Sequence, residues 1–112
     1  MPLSGAMEQI NQAVFNWEGV SLHPHRFGGT EYRLGKREIG HIHGDHVVDI
    51  PFPKKVRDAL VASGLAQPHH VLPESGWMSF YLREPQDVER AIALLRRSFE
   101  LAARKWEVKE KT

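Results

Sequence analysis

Three glycine-led breaks divide residues 20–50 into short runs: Gly28-Gly29, Gly35-Lys36 and Gly44-Asp45. Glycine at the first position of a two-residue hairpin loop suits type II′, and Gly-Gly also suits type I′, because glycine takes φ > 0 without strain. The runs between the breaks carry Val20, Leu22, Tyr32, Leu34, Ile39, Ile42, Val47, Val48 and Ile50. They predict four antiparallel strands in a meander, over 20–27, 30–34, 37–43 and 46–50.

Helices flank this ribbon. Met7, Ile10, Val14 and Trp17 recur at helical spacing, which predicts a helix over 4–16 with Ser4 as N-cap. Pro51-Phe52-Pro53 stops the sheet, and a short helix follows over 54–62, with Gly64 as its C′ residue. Residues 65–76 read as a loop and Trp77–Leu82 as a fifth strand. Pro85 opens a last helix whose Val88, Ile92, Leu95, Phe99 and Ala102 form a core stripe, with a charged tail at Arg104–Thr112 expected to fray. The expected fold is α+β: one two-layer domain over 1–112, an antiparallel sheet of about five strands packed by helices on one face.

Hairpin loops fix register, and register fixes which side chains share a face. Two-residue loops would oppose Phe27 to Thr30, His25 to Tyr32, Tyr32 to Ile39, His41 to Val48 and His43 to His46. One face then holds His23, His25, Tyr32, Arg37, Ile39, His41, His43, His46, Val48 and Ile50. The other holds Arg26 opposite Glu31 and Arg33 opposite Glu38, which marks it as solvated. The first face is expected to pack under the helices. It carries five of the seven histidines, more polar nitrogen than a dry core satisfies. A hydrated pocket at the Gly44-Asp45 end is the simpler reading, with His69-His70 on a loop able to close it.

Composition narrows the chemistry. Lys+Arg 15 against Asp+Glu 14 leaves a net charge of +1, too small to draw nucleic acid or an anionic membrane. No cysteine is present, so disulfides, thiolate ligands and a cysteine nucleophile are excluded. No apolar run reaches the roughly 18 residues of a membrane span. Met1 to Gly5 have neither a basic nor an apolar signal region, so a cytoplasmic protein with a small-molecule ligand is expected. An apolar outer patch at Leu22, Ile42 and Val47 would mark a protein contact or a homodimer.

Three uses of the imidazoles stand side by side. His41, His43 and His46 can ligate one divalent metal ion, with Asp45 or Asp49 orienting a ring. The same rings can act without metal as general bases, with Arg37 holding an enolate or carboxylate. They can also be structural.

The stretch Arg37-Glu38-Ile39-Gly40-His41-Ile42-His43-Gly44-Asp45-His46 resembles the central motif of the luciferase-domain family. Gly64, Gln67 and His69 resemble a second histidine-containing segment of that family. Trp77 and Tyr81 resemble its Trp-led strand ahead of an acidic helix start, here Pro85-Gln86-Asp87-Val88-Glu89. The resemblance covers roughly residues 37 to 101, and Val20 to Gly29 are similar to the small stand-alone bacterial members. It implies an oxygen-using reaction: fungal luciferases add O₂ to a hydroxylated pyrone, and the peroxide then loses CO₂. The expected activity is a luciferase-like oxygenase, an oxidoreductase acting on a small enolic or aromatic compound. His41, His43, His46, His69 and Arg37 are its candidate catalytic residues. His25, Tyr32, Trp77 and Tyr81 are the candidate ligand contacts. The expected cofactor is none or one divalent metal ion. The other reading is a non-catalytic module that binds a small ligand or a metal.

Overall fold

The structure, a computed structural model, describes residues 3–111, with side chains through 105. Met1, Pro2 and Thr112 lie outside them, as do the side chains of 106–111, on which most of the expected frayed tail falls. The elements run α1 (Ala6–Phe15), β1 (Val20–His25), β2 (Gly29–Leu34), β3 (Arg37–His43), β4 (Val47–Pro51), α2 (Lys54–Ala62), β5 (Gln67–Pro68), β6 (Trp77–Tyr81) and α3 (Asp87–Lys111). Among the described residues the strands form one antiparallel sheet of six, ordered β1-β2-β3-β4-β6-β5. The four-strand meander and the later Trp-led strand are as expected, and β5 is a two-residue addition at the edge. No described helix is long and apolar enough to cross a membrane.

Helices α1 and α3 pack together and against β1 to β4. Their apolar stripes meet one face of the sheet, where Ile10, Val14, Tyr32, Ile42, Val48, Ile50, Met78 and Leu95 are fully buried. Each such aliphatic side chain contributes about 1.5–3 kcal/mol through removal from water. The Tyr32 hydroxyl donates to Asn11 Oδ1 at 2.6 Å, so this buried phenol is satisfied within the core. Helix α2 lies against β6.

The register differs from expectation at the first and third hairpins, and beyond a bulge in the second. Arg26–Gly28 forms a short 3₁₀ turn, with Phe27 at φ 58, instead of a loop at Gly28-Gly29. His25 therefore pairs with Gly29, and His23 pairs with Glu31. Between β2 and β3 the expected pairing holds for Leu34 with Arg37 and Arg33 with Glu38. A bulge then places Gly40, not Ile39, opposite Tyr32, and His41 opposite Glu31. The third loop has three residues, Gly44 to His46, so His41 pairs with Asp49 and His43 with Val47. Each odd shift turns the side chains that follow to the other face. His41, His43 and His25 therefore look away from α1 and α3, not toward them. Glu31 pairs with Arg33 and lies 3.4 Å from His25, not across from Arg26. Ile42 and Val47 are buried and Leu22 is half-buried against the core, so these three residues form no outer apolar patch.

The start of α1 is also capped from a distance. Ser4 is not the N-cap. Gly5 holds that position at φ 80 without a side-chain cap, and Asp45 serves instead. Its carboxylate accepts from Met7 N–H at 2.8 Å and Gly5 N–H at 3.2 Å, and its carbonyl accepts from Leu3 N–H. A negative charge at the positive end of the helix reinforces these bonds. Asp45→Ala is expected to lower folding stability by about 1 kcal/mol, and Ser4→Ala by less than about 0.5 kcal/mol. Urea denaturation of both variants measures the difference.

Candidate functional site

The open face of the sheet carries a polar centre built on one carboxylate. Asp49 lies in the apolar run Val47-Val48-Asp49-Ile50 of β4 and is fully buried. Its register partners are His41 on β3 and Ser79 on β6. Ser79 donates to Asp49 Oδ1 at 2.7 Å. Four imidazoles gather on the other oxygen, Oδ2. His43 Nε2 is 3.1 Å away, His41 Nε2 3.2 Å, His70 Nε2 3.3 Å and His69 Nε2 3.4 Å. His41 also donates from Nδ1 to Glu38 Oε2 at 2.6 Å. His25 stacks on His41 at 4.1 Å between ring centres, and its Nδ1 lies 3.4 Å from Glu31 Oε1. Trp77 packs beside His41 and His69, at 5.2 and 6.0 Å.

Two anchors hold the 69–76 loop over this face. Phe52 N–H donates to Gly76 C=O at 2.9 Å. Arg57, buried on α2, donates to the carbonyls of Trp77 and Pro73 and pairs with Asp58. An arginine with several donors in one plane suits such a junction of backbone carbonyls.

The expected site residues divide in space. His41, His43 and His69 come together, and His25 and Trp77 border them. His46 is exposed in the β3–β4 loop, with its ring 5.8 Å from Tyr81, outside the group around Asp49. Arg37 is exposed at the β2–β3 turn. Tyr32 lies in the core on the opposite face. The central role of Asp49 and the parts played by Glu38 and Ser79 are absent from the sequence reading, whereas the His69-His70 loop, expected to close the pocket, brings both rings to Asp49. Asp49 did leave a trace in the sequence, since a lone acid inside an apolar strand demands buried partners.

The groups perturb one another. Burial alone would lower the pKa of His41, but its bonds to Asp49 and Glu38 outweigh that and raise it to about 9. Burial pushes Asp49 up, and the bonds from His41 and Ser79 with the neighbouring imidazoles hold it well below the usual carboxylate range. His43 is lowered by burial and by the charge on His41. His69 is lowered by burial, against the attraction of Asp49.

These shifts set a pH dependence for the metal-free protein. The charge on His41 faces Glu38, Asp49, His25, His43 and His69. Its folded pKa lies above the unfolded value of about 6.5, so its contribution is complete below that pH and is lost as pH rises through about 9. Asp49 acts at the other end: its contribution is present above the ordinary carboxylate range and is lost as pH falls toward its depressed folded value. The thermal midpoint of metal-stripped protein is expected to fall between about pH 7 and 9.5, and His41→Gln to flatten that fall. Melts at constant ionic strength read both, and a wild-type midpoint unchanged across that interval would contradict the assignment.

The Luciferase domain family model matches residues 36–98, more than half of the chain. The match spans β3, β4, α2, β5, β6 and the first turns of α3, and so takes in His41, His43, Asp49, His69 and His70. No curated protein and no solved structure matches the chain.

Proposed function

The chain belongs to the luciferase-domain family, and on that ground we propose that its Asp49 centre holds one divalent metal ion and serves an oxygenase-type reaction on a small enolic or aromatic compound. One observation carries the metal: four imidazole Nε2 atoms stand 3.1–3.4 Å from a single buried carboxylate oxygen. One such oxygen offers about two lone pairs, too few for four N–H donors at full strength. His43, Asp49 and His70, and likewise His41, Asp49 and His69, offer ligand atoms within 4.8 Å of one another, near enough to converge on one ion with bonds of about 2.0–2.1 Å. Imidazole with carboxylate suits zinc, iron, copper or nickel, and Glu38 on His41 Nδ1 is the kind of outer carboxylate that orients a ligating histidine.

A bound ion would supply Lewis acidity toward an enolate oxygen and, where redox-active, a route for electrons to O₂. The remaining work falls to the protein. Asp49 and Glu38 balance the positive charge. Trp77 and the 69–76 loop shield the centre from water. His25 has Nδ1 turned to Glu31 and keeps Nε2 to take the proton of an enol.

Elemental analysis and oxygen-electrode assays test this reading. Protein loaded with Fe(II), Mn(II) or Zn(II) is offered hydroxy-pyrones and catechols. One ion per chain, with O₂ uptake lost in His41→Ala and His43→Ala, is expected. Tight metal without O₂ uptake on any compound would leave the non-catalytic metal-binding module, and failure to retain any of the three ions would overturn the metal.

A further inference from the structure

The imidazoles around Asp49 are not equivalent, and the ring nitrogens tell them apart. A neutral histidine carries one proton, and the nitrogen that holds it has no lone pair to give a metal. His69 Nδ1 lies 3.1 Å from Val71 N and 3.0 Å from Leu72 N, and accepts from both backbone N–H groups. A nitrogen that accepts two N–H donors carries no proton. The ring proton of His69 must therefore sit on Nε2, which faces Asp49 Oδ2 at 3.4 Å. The side chain is only 10% exposed, so water does not readily displace these partners.

His41 is locked in the opposite sense. Its Nδ1 proton goes to Glu38, so when a metal ion displaces the second proton the ring presents its lone pair at Nε2. His43 and His70 also approach Asp49 through Nε2, and among the described residues neither has a backbone donor on Nδ1. Both are therefore free to carry their proton on Nδ1 and offer Nε2 as a ligand.

We infer that the ligands are drawn from His41, His43, His70 and Asp49, of which His43, Asp49 and His70 already stand within 4.8 Å of one another, and that His69 is a positioning residue whose fixed Nε2–H faces the Asp49 carboxylate at 3.4 Å. This rests on the metal reading above. It assigns different work to two adjacent histidines with stacked rings, 4.4 Å apart. The division arises in the loop itself: the peptide groups after His70 turn back onto the His69 ring and select its tautomer. The same turn leaves His70 half-exposed at the mouth of the centre.

Nitrogen-detected NMR of the histidine rings tests this in the metal-free and Zn(II)-loaded full-length protein, together with Zn(II) titration of variants. His69 is expected as the Nε2–H tautomer in both states, while His41, His43 and His70 show metal-bound Nε2 on loading. His69→Gln places an amide N–H near the same position and is expected to bind one Zn(II) close to wild-type affinity. His69→Ala is expected to keep the one-to-one stoichiometry with about 10–100-fold weaker binding, the usual effect of losing an outer partner. His43→Ala and His70→Ala are expected to lose more than His69→Ala does. Metal-bound Nε2 on His69, or an Nδ1–H tautomer without metal, would overturn the inference. If wild-type protein bound no Zn(II), the metal reading would fall, and the metal-free tautomer would still decide whether His69 is the donor to Asp49.

Discussion

Asp49→Asn is expected to weaken divalent-metal binding at least about a hundredfold and to destabilise the metal-free protein by about 3 kcal/mol, the scale of an uncompensated buried pair. Asn keeps the size of Asp and can still accept from Ser79 through Oδ1. What changes is the atom at the position of Oδ2, where an N–H₂ group would meet the imidazole nitrogens. His43 and His70 can change tautomer to accept from it. His69 cannot, because Val71 and Leu72 already occupy its only free acceptor. The charge on His41 would keep Glu38 alone as partner, so its raised pKa should relax toward the ordinary value. Calorimetric Zn(II) titration and urea unfolding read the two effects separately. Wild-type metal affinity in the Asn variant would remove Asp49 from the ligand set.

Gly40→Ala should produce a large loss of stability. Gly40 sits at the β2–β3 bulge with φ 154, a region that L residues avoid. A Cβ there would lie 2.5 Å from Leu95 Cδ2 and 3.1 Å from the Asp49 carbonyl oxygen. Leu95 is fully buried and belongs to the α3 core stripe, so it has little room to retreat. Overpacking with backbone strain predicts a cost of about 3 kcal/mol, or on the order of 10–20 °C in thermal midpoint. Gly44→Ala is the control, since Gly44 has φ 56 but no heavy atom within 4 Å of an added Cβ. It isolates backbone strain and should cost about 1–2 kcal/mol. Equal midpoints for the two variants would mean that contact with Leu95 does not matter.

The Gly40 bulge also explains which part of the site was readable in advance. The meander, α2 and the stripe on α3 follow from local signals: glycine-led breaks, a proline stop and apolar residues at helical spacing. That several histidines share one face was also legible, since alternation along His41-Ile42-His43 is independent of loop length. Asp45 and the His69-His70 pair show the limit. Asp45 caps a helix some forty positions earlier in the chain, and both loop histidines reach Asp49 only because Arg57 and Phe52 hold the loop in place.

Sequence alone therefore determined the elements, their order, the family and the histidine-rich character of β3, because each depends on neighbouring residues or on a local motif. Tertiary structure decided which face the imidazoles occupy and which acid they surround. A bulge at Gly40 and a three-residue turn in place of two each shift pairing by one residue, and in a pleated sheet one residue is the difference between core and open face.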